Sequence, residues 1–202
     1  GVKKSAKYAL DAFDIEAPSW QELDFFIGPP LLVTFQEKFN QSAADAEKLV
    51  KKYRERYTNI GLYESEFYSG IPSLLQKLKN DGLLLGVASS KPINYVEELL
   101  IKAGLADLFD YIGAVSFSAD CETKQSIIDR TLANLNVTPE EALMVGDRFY
   151  DMDGARETGV TSVGVLWGFG TKFELIESGA NYIVDKVEDI EAVALGLYER
   201  CE

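Results

Sequence analysis

The sequence predicts an α/β protein in which a small all-helical bundle precedes a parallel sheet flanked by helices. Three observations lead there. Residues 1 to about 65 carry helical periodicity and no strand pattern, and from Gly70 onward helical and strand-like segments alternate strictly. The strand-like segments are short apolar runs of the kind used by sheets covered on both faces. This divides the chain into a helical unit, 1–65, and an α/β unit, 66–202, with the boundary near 62–70.

In the first unit, Ala6, Leu10 and Phe13 share one face of an opening helix, and Ser19 with Glu22 forms a capping box for a second. Ile27-Gly-Pro-Pro30 breaks the chain. A third helix runs to about Phe39, and Ser42 with Asp45 caps a fourth that reaches about Tyr57. The tyrosines and phenylalanines here are expected in the core or at an interface rather than stacked on a cofactor.

In the second unit, Pro72 opens a helix that Gly82 closes, and Leu83–Ala88 is a buried strand running into Ser89-Ser-Lys-Pro92. A helix from Pro92 to Ala103 buries Val96, Leu99 and Leu100 and stops at Gly104. Tyr111–Ser116 is the next strand. Thr123 caps a helix whose first turn holds Lys124 and whose buried face includes Ile128, Leu132 and Leu135. Thr138-Pro-Glu-Glu141 is a capping box ahead of a buried strand that ends at Gly146, with Asp147 and Asp151 following it. Ser162–Leu166 and Tyr182–Val184 are the last strands. Thr171 and Glu174 cap the helix between them, and Val187 to about Tyr198 forms a closing helix.

Charge and composition exclude several functions. Twenty basic against 33 acidic residues give a net charge of −13, which argues against nucleic-acid or anionic-membrane partners. With no histidine, Ser-His-Asp and Cys-His catalysis and histidine-ligated zinc are excluded. Cys121 and Cys201 are far apart and fit no metal spacing, so free thiols in a reducing compartment are expected. No apolar run approaches the length of a membrane span and the start is not signal-like, so a cytoplasmic protein is expected.

Open parallel sheets bind ligands beyond the carboxyl ends of their strands. The residues there are Ser89, Ser90 and Lys91, then Lys124, then Asp147 and Asp151. Individually they could be helix caps or solvated lysines. Together they suit a phosphoryl group and Mg²⁺, because hydroxyl and ammonium groups bind phosphate oxygens while carboxylates hold a hard cation.

Val87-Ala-Ser-Ser-Lys-Pro92, Lys124 and Val145-Gly-Asp-Arg-Phe-Tyr-Asp151 resemble the second, third and fourth motifs of the haloacid dehalogenase superfamily, in its phosphoglycolate-phosphatase-like branch. Ile27-Gly-Pro-Pro-Leu31, Tyr68-Ser-Gly-Ile-Pro72 and Gly168-Phe-Gly170 also resemble that branch. The resemblance implies a Rossmann-like core with an inserted helical cap, and a Mg²⁺-dependent phosphatase of small phosphomonoesters working through an aspartyl-phosphate. Ser89 and Lys124 would act on the phosphoryl group, Ser90 and Lys91 would touch substrate, and Asp147 would bind Mg²⁺ with Asp151 as a direct or indirect support. The partner would be a small phosphorylated metabolite, and the protein a monomer or homodimer. Gln125 stands where sister branches often have proline.

The family's first motif, Asp-x-Asp-Gly-Thr, is not in the sequence. Asp151-Met-Asp-Gly154 has a similar spelling but lacks its own preceding strand. The expectation is therefore that a central strand bearing the nucleophile, with its turn about twenty residues long, lies ahead of Gly1. Two alternatives stay open. One is a metal-free dehalogenase, against which Asp147 and Asp151 count; the other is a phosphate-binding protein without catalysis.

Overall fold

The computed structural model describes residues 1–116 and 122–196. Contacts divide the chain into two compact units, Gly1–Glu66 and Phe67–Glu202.

The first unit is helical: α1 (Val2–Asp11), a 3-10 turn (Glu22–Phe26), α2 (Leu31–Phe39) and α3 (Ala43–Asn59). The Ser42 hydroxyl accepts from the Asp45 amide at 3.2 Å and starts α3 as its sequence predicts. The Ser19–Glu22 capping box also forms, but the segment behind it is only the 3-10 turn. Ala6 and Leu10 are fully buried. Phe13 corrects the prediction: α1 ends at Asp11, Asp14 turns left-handed at φ 54°, and Phe13 is 42% exposed. Phe25, Phe26, Phe35 and Phe39 pack ring to ring with centroids 5.0–6.2 Å apart. Arg56 clasps both oxygens of Glu64, which Lys4 also pairs, and these cations hold the Glu64 carboxyl down at about 2.

The second unit runs α4 (Ile71–Asn80), β1 (Gly86–Pro92), α5 (Ile93–Lys102), β2 (Tyr111–Val115), α6 (Lys124–Leu135), β3 (Leu143–Gly146), α7 (Phe149–Thr158), β4 (Thr161–Val165), α8 (Lys172–Glu177), β5 (Tyr182–Val184) and α9 (Asp189–Ala194). The predicted extension of the last helix to Tyr198 falls partly outside the described residues, as do Cys121 and Cys201. All strand pairs are parallel. β1 pairs β2, β4 lies between β3 and β5, and among the described residues no ladder joins the two groups. Helix α6 packs on β1, β2 and α7, and so links the two groups.

Two strands differ from expectation. β1 begins at Gly86, so Leu83 and Leu84 precede it and the Ser89–Lys91 segment lies within it. The Leu85 amide turns aside to Asp110 Oδ2 at 2.8 Å, which holds the approach to the strand. β3 is not covered on both faces, because Leu143 and Val145 are 37% and 39% exposed. Met144 on the alternate face packs with Ile128, Leu132 and Ala155, so among the described residues α6 and α7 cover the Met144 side. No helix among the described residues is long and apolar enough to cross a membrane.

Candidate active site

Strand ends and helix starts bring the candidate residues together because a parallel sheet turns every strand's carboxyl end to the same edge. Lys124 opens α6 behind the Thr123 cap, whose hydroxyl accepts from the Ser126 amide at 3.1 Å. From there its Nζ reaches Asp151 Oδ1 at 2.9 Å and the Ala88 carbonyl at 3.0 Å, next to Ser89. The side chain lies flat on α7. A Cβ on Gly154 would strike it, so glycine there is what admits the lysine.

Asp151 spends its other oxygen on the chain itself. Oδ2 accepts from the amides of Asp147 and Arg148, both at 3.2 Å, capping the start of α7. A Cβ on Gly146 would collide with the Asp151 side chain, so the end of β3 must be glycine for the acid to fold back. Lys124 and Asp151 are 12% and 14% exposed, so their attraction is only weakly screened by water.

Asp147 sits in a second cradle. Its Oδ2 accepts from the Phe169 amide at 2.8 Å and its carbonyl from the Gly170 amide at 2.9 Å. A Cβ on Gly168 would meet the Asp147 side chain, and one on Gly170 its carbonyl. Among the described residues Oδ1 takes no hydrogen bond, and that oxygen can bind a cation directly. Tyr68 stands near enough that the charge of Asp147 adds to burial in pushing its phenol up.

Ser89 Oγ accepts from the Lys91 amide at 3.1 Å, and among the described residues its hydroxyl hydrogen is donated to no acceptor. Ser90 makes no side-chain hydrogen bond among those residues. Burial pushes the Lys91 ammonium down to about 8, opposed by a smaller effect of Tyr95. The unfolded lysine stays charged to about pH 10.5, so stability from this group rises with pH between about 8 and 10.5. Lys91→Met is expected to be more stable than wild type at pH 7, by at most roughly 3 kcal/mol. Paired denaturant melts should show that advantage shrinking to nothing by pH 11.

Asp153, in the Asp151-Met-Asp-Gly154 stretch, pairs with Arg156 at 2.6 Å on the outer side of α7, while Met152 is fully buried. Neither end of that stretch follows a strand of its own. Glu174, which the sequence presents only as part of a helix cap, joins the site. Its Oε1 accepts from Arg148 Nε at 2.8 Å and from the Phe149 amide at 3.0 Å. The cradle glycines at 168 and 170 gave the one local signal, a Gly-x-Gly after β4.

Among the described residues no three His, Cys, Asp or Glu side chains gather as a metal site. The donor set still fits Mg²⁺, which is commonly held by one or two carboxylates together with substrate phosphate and water.

A family model for haloacid dehalogenase-like hydrolases matches residues 1–165. A crystal structure of a predicted phosphatase from Clostridium acetobutylicum superposes with a TM-score of 0.92 at 38% identity, covering 97% of this chain and 91% of that one. A 5'-nucleotidase from Pseudomonas aeruginosa is 36% identical over 87% of this chain and 79% of its own length. Tyrosine-protein kinase PtkA from Mycobacterium tuberculosis is 29% identical over 98% of this chain and 67% of its own. The chain belongs to the haloacid dehalogenase-like hydrolase family, as a phosphatase of that family.

Proposed function

We propose that the protein is a Mg²⁺-dependent phosphatase of small phosphomonoesters, phosphoglycolate-like or nucleoside monophosphates, that works through an aspartyl-phosphate. The observation that carries this reading is the convergence around Lys124, between β1 and the start of α7, of an open Asp147 oxygen, the Lys124–Asp151 pair and the uncommitted Ser89 hydroxyl hydrogen. The name of the Pseudomonas aeruginosa relative favours a nucleoside monophosphate.

In this reading the nucleophilic carboxylate stands on a further parallel strand between β1 and β3. Support comes from those strands, which meet no ladder partner on their facing edges among the described residues, and from the exposed Leu143 and Val145. Carboxylate attack at phosphorus displaces the substrate alkoxide, which takes a proton from a general acid. Water then cleaves the acyl phosphate and releases inorganic phosphate. Ser89 donates to a phosphoryl oxygen, and Lys124 neutralises the same group while keeping the nucleophile ionised. Asp147 would hold Mg²⁺, which when bound screens phosphoryl charge. Asp151 acts from behind, orienting Lys124 and the Asp147 amide. Ser90 and Lys91 border the substrate.

The helical unit serves as the cap that excludes water and selects the leaving group. The setting is the cytoplasm, and the assembly a monomer or homodimer.

The test is p-nitrophenyl phosphate hydrolysis by the full-length natural protein, with and without Mg²⁺. Hydrolysis that EDTA abolishes and Mg²⁺ restores is expected, with Asp147→Asn losing at least a hundredfold. Chloride release from a 2-haloacid with no phosphatase activity would establish the dehalogenase reading instead, and phosphate binding without turnover the non-catalytic one.

A further inference from the structure

We infer that Glu174 is a positioning residue for Asp147, acting through the Asp147–Phe149 turn from the first turn of α8; the cation arm of its test rests on the phosphatase reading above. The turn between β3 and α7 presents three consecutive backbone amides that the helix leaves without partners. Asp151 takes two of them, at Asp147 and Arg148, from inside α7. Glu174 takes the third, at Phe149, from an element 25 residues away in sequence, and the same oxygen holds Arg148 Nε.

Glu174 is itself anchored. Its amide donates to the Thr171 hydroxyl at 3.1 Å, so its side chain starts from a capped helix rather than a loose loop. The loop just before this cap also grips Asp147, through the Phe169 and Gly170 amides. The segment 168–174 therefore touches all three residues of the turn, with Glu174 reaching Arg148 and Phe149 through its carboxylate.

Charge supplies the second effect. Arg148 and Glu174 are 13% and 25% exposed, so their charge-assisted bond is only partly screened and ties the turn to α8. Without the glutamate, Arg148 Nε and the Phe149 amide would lose the acceptor that they share, and the Asp147–Phe149 turn its tie to α8.

The experiment uses the full-length natural protein, with Mg²⁺ titrated calorimetrically in the absence of substrate and the Phe149 amide followed by hydrogen exchange. Glu174→Ala is expected to weaken Mg²⁺ binding tenfold or more and to speed Phe149 exchange by a similar factor. Glu174→Gln, which keeps an acceptor oxygen, should stay within about threefold of wild type in exchange. If Glu174→Ala does not fold, Glu174→Asp, with a carboxylate one methylene too short, should show the same losses. Unchanged Phe149 exchange and unchanged Mg²⁺ affinity in the folded variant, whatever its melting temperature, overturns the inference. Wild-type protein that binds no Mg²⁺ would instead count against the phosphatase reading. The exchange arm then decides the role of Glu174 alone.

Discussion

Lys124→Met should cost about a thousandfold in kcat and lower the melting temperature by roughly 5–10 °C. The ammonium lies 2.9 Å from Asp151 Oδ1 and 3.0 Å from the Ala88 carbonyl, in a setting where both side chains are largely shielded from water. Removing one partner of a fully buried pair costs about 3–5 kcal/mol, mostly because the other charge is stranded. Residual exposure and the two amides that still serve Asp151 reduce this to about 2–3 kcal/mol, which in a chain of this size moves the melting temperature by the stated amount. The larger loss is catalytic, since the same ammonium, held at the carbonyl next to Ser89, would pair with a phosphoryl group there. Thermal melts and steady-state kinetics read the two effects separately. A double-mutant cycle with Asp151→Asn should show strong non-additivity in stability. A kcat within tenfold of wild type would remove Lys124 from the chemistry.

Gly170→Ala should lower kcat about a hundredfold while destabilising the protein by roughly 1–3 kcal/mol. The added methyl would meet the Asp147 carbonyl, which is backbone and cannot swing away, and which the Gly170 amide itself holds at 2.9 Å. Relief requires either the turn that aims Asp147 or the loop that grips it to move. Gly82→Ala is the informative control. Gly82 has φ 86° and nothing within 4 Å of the added carbon, so it should lose about 1 kcal/mol through backbone conformation alone and keep full activity. Equal kcat losses in both variants would show that the Gly170 effect is global and not transmitted through Asp147.

Much of the fold was legible because its signals are local. Ser42, Thr123 and Thr171 cap the helices that their sequences announce, each through a hydroxyl and an amide three residues on. Gly82, Gly104 and Gly159 take the left-handed conformation just after helices. The exposure of Phe13 was not legible, because where α1 stops depends on a left-handed turn at Asp14 rather than on periodicity. The exposure of Leu143 and Val145 was not legible for another reason: an apolar run shows that a strand can be covered, and only the neighbouring elements show which of its residues are.

The sequence by itself determined the chemistry available: carboxylates, hydroxyls and lysines at strand ends, no histidine, and an acidic surface. It determined the order of helices and strands as well, since capping and periodicity act within a few residues. Only the tertiary structure decided how those groups divide their work. Along the chain Asp147 and Asp151 read as one carboxylate pair, which only the family resemblance ranks. In space one keeps an open oxygen, while the other is consumed by Lys124 and two amides. That asymmetry comes from contacts between α6, α7 and the loop after β4. Such contacts depend on how a parallel sheet stacks its crossovers, so no local pattern encodes them.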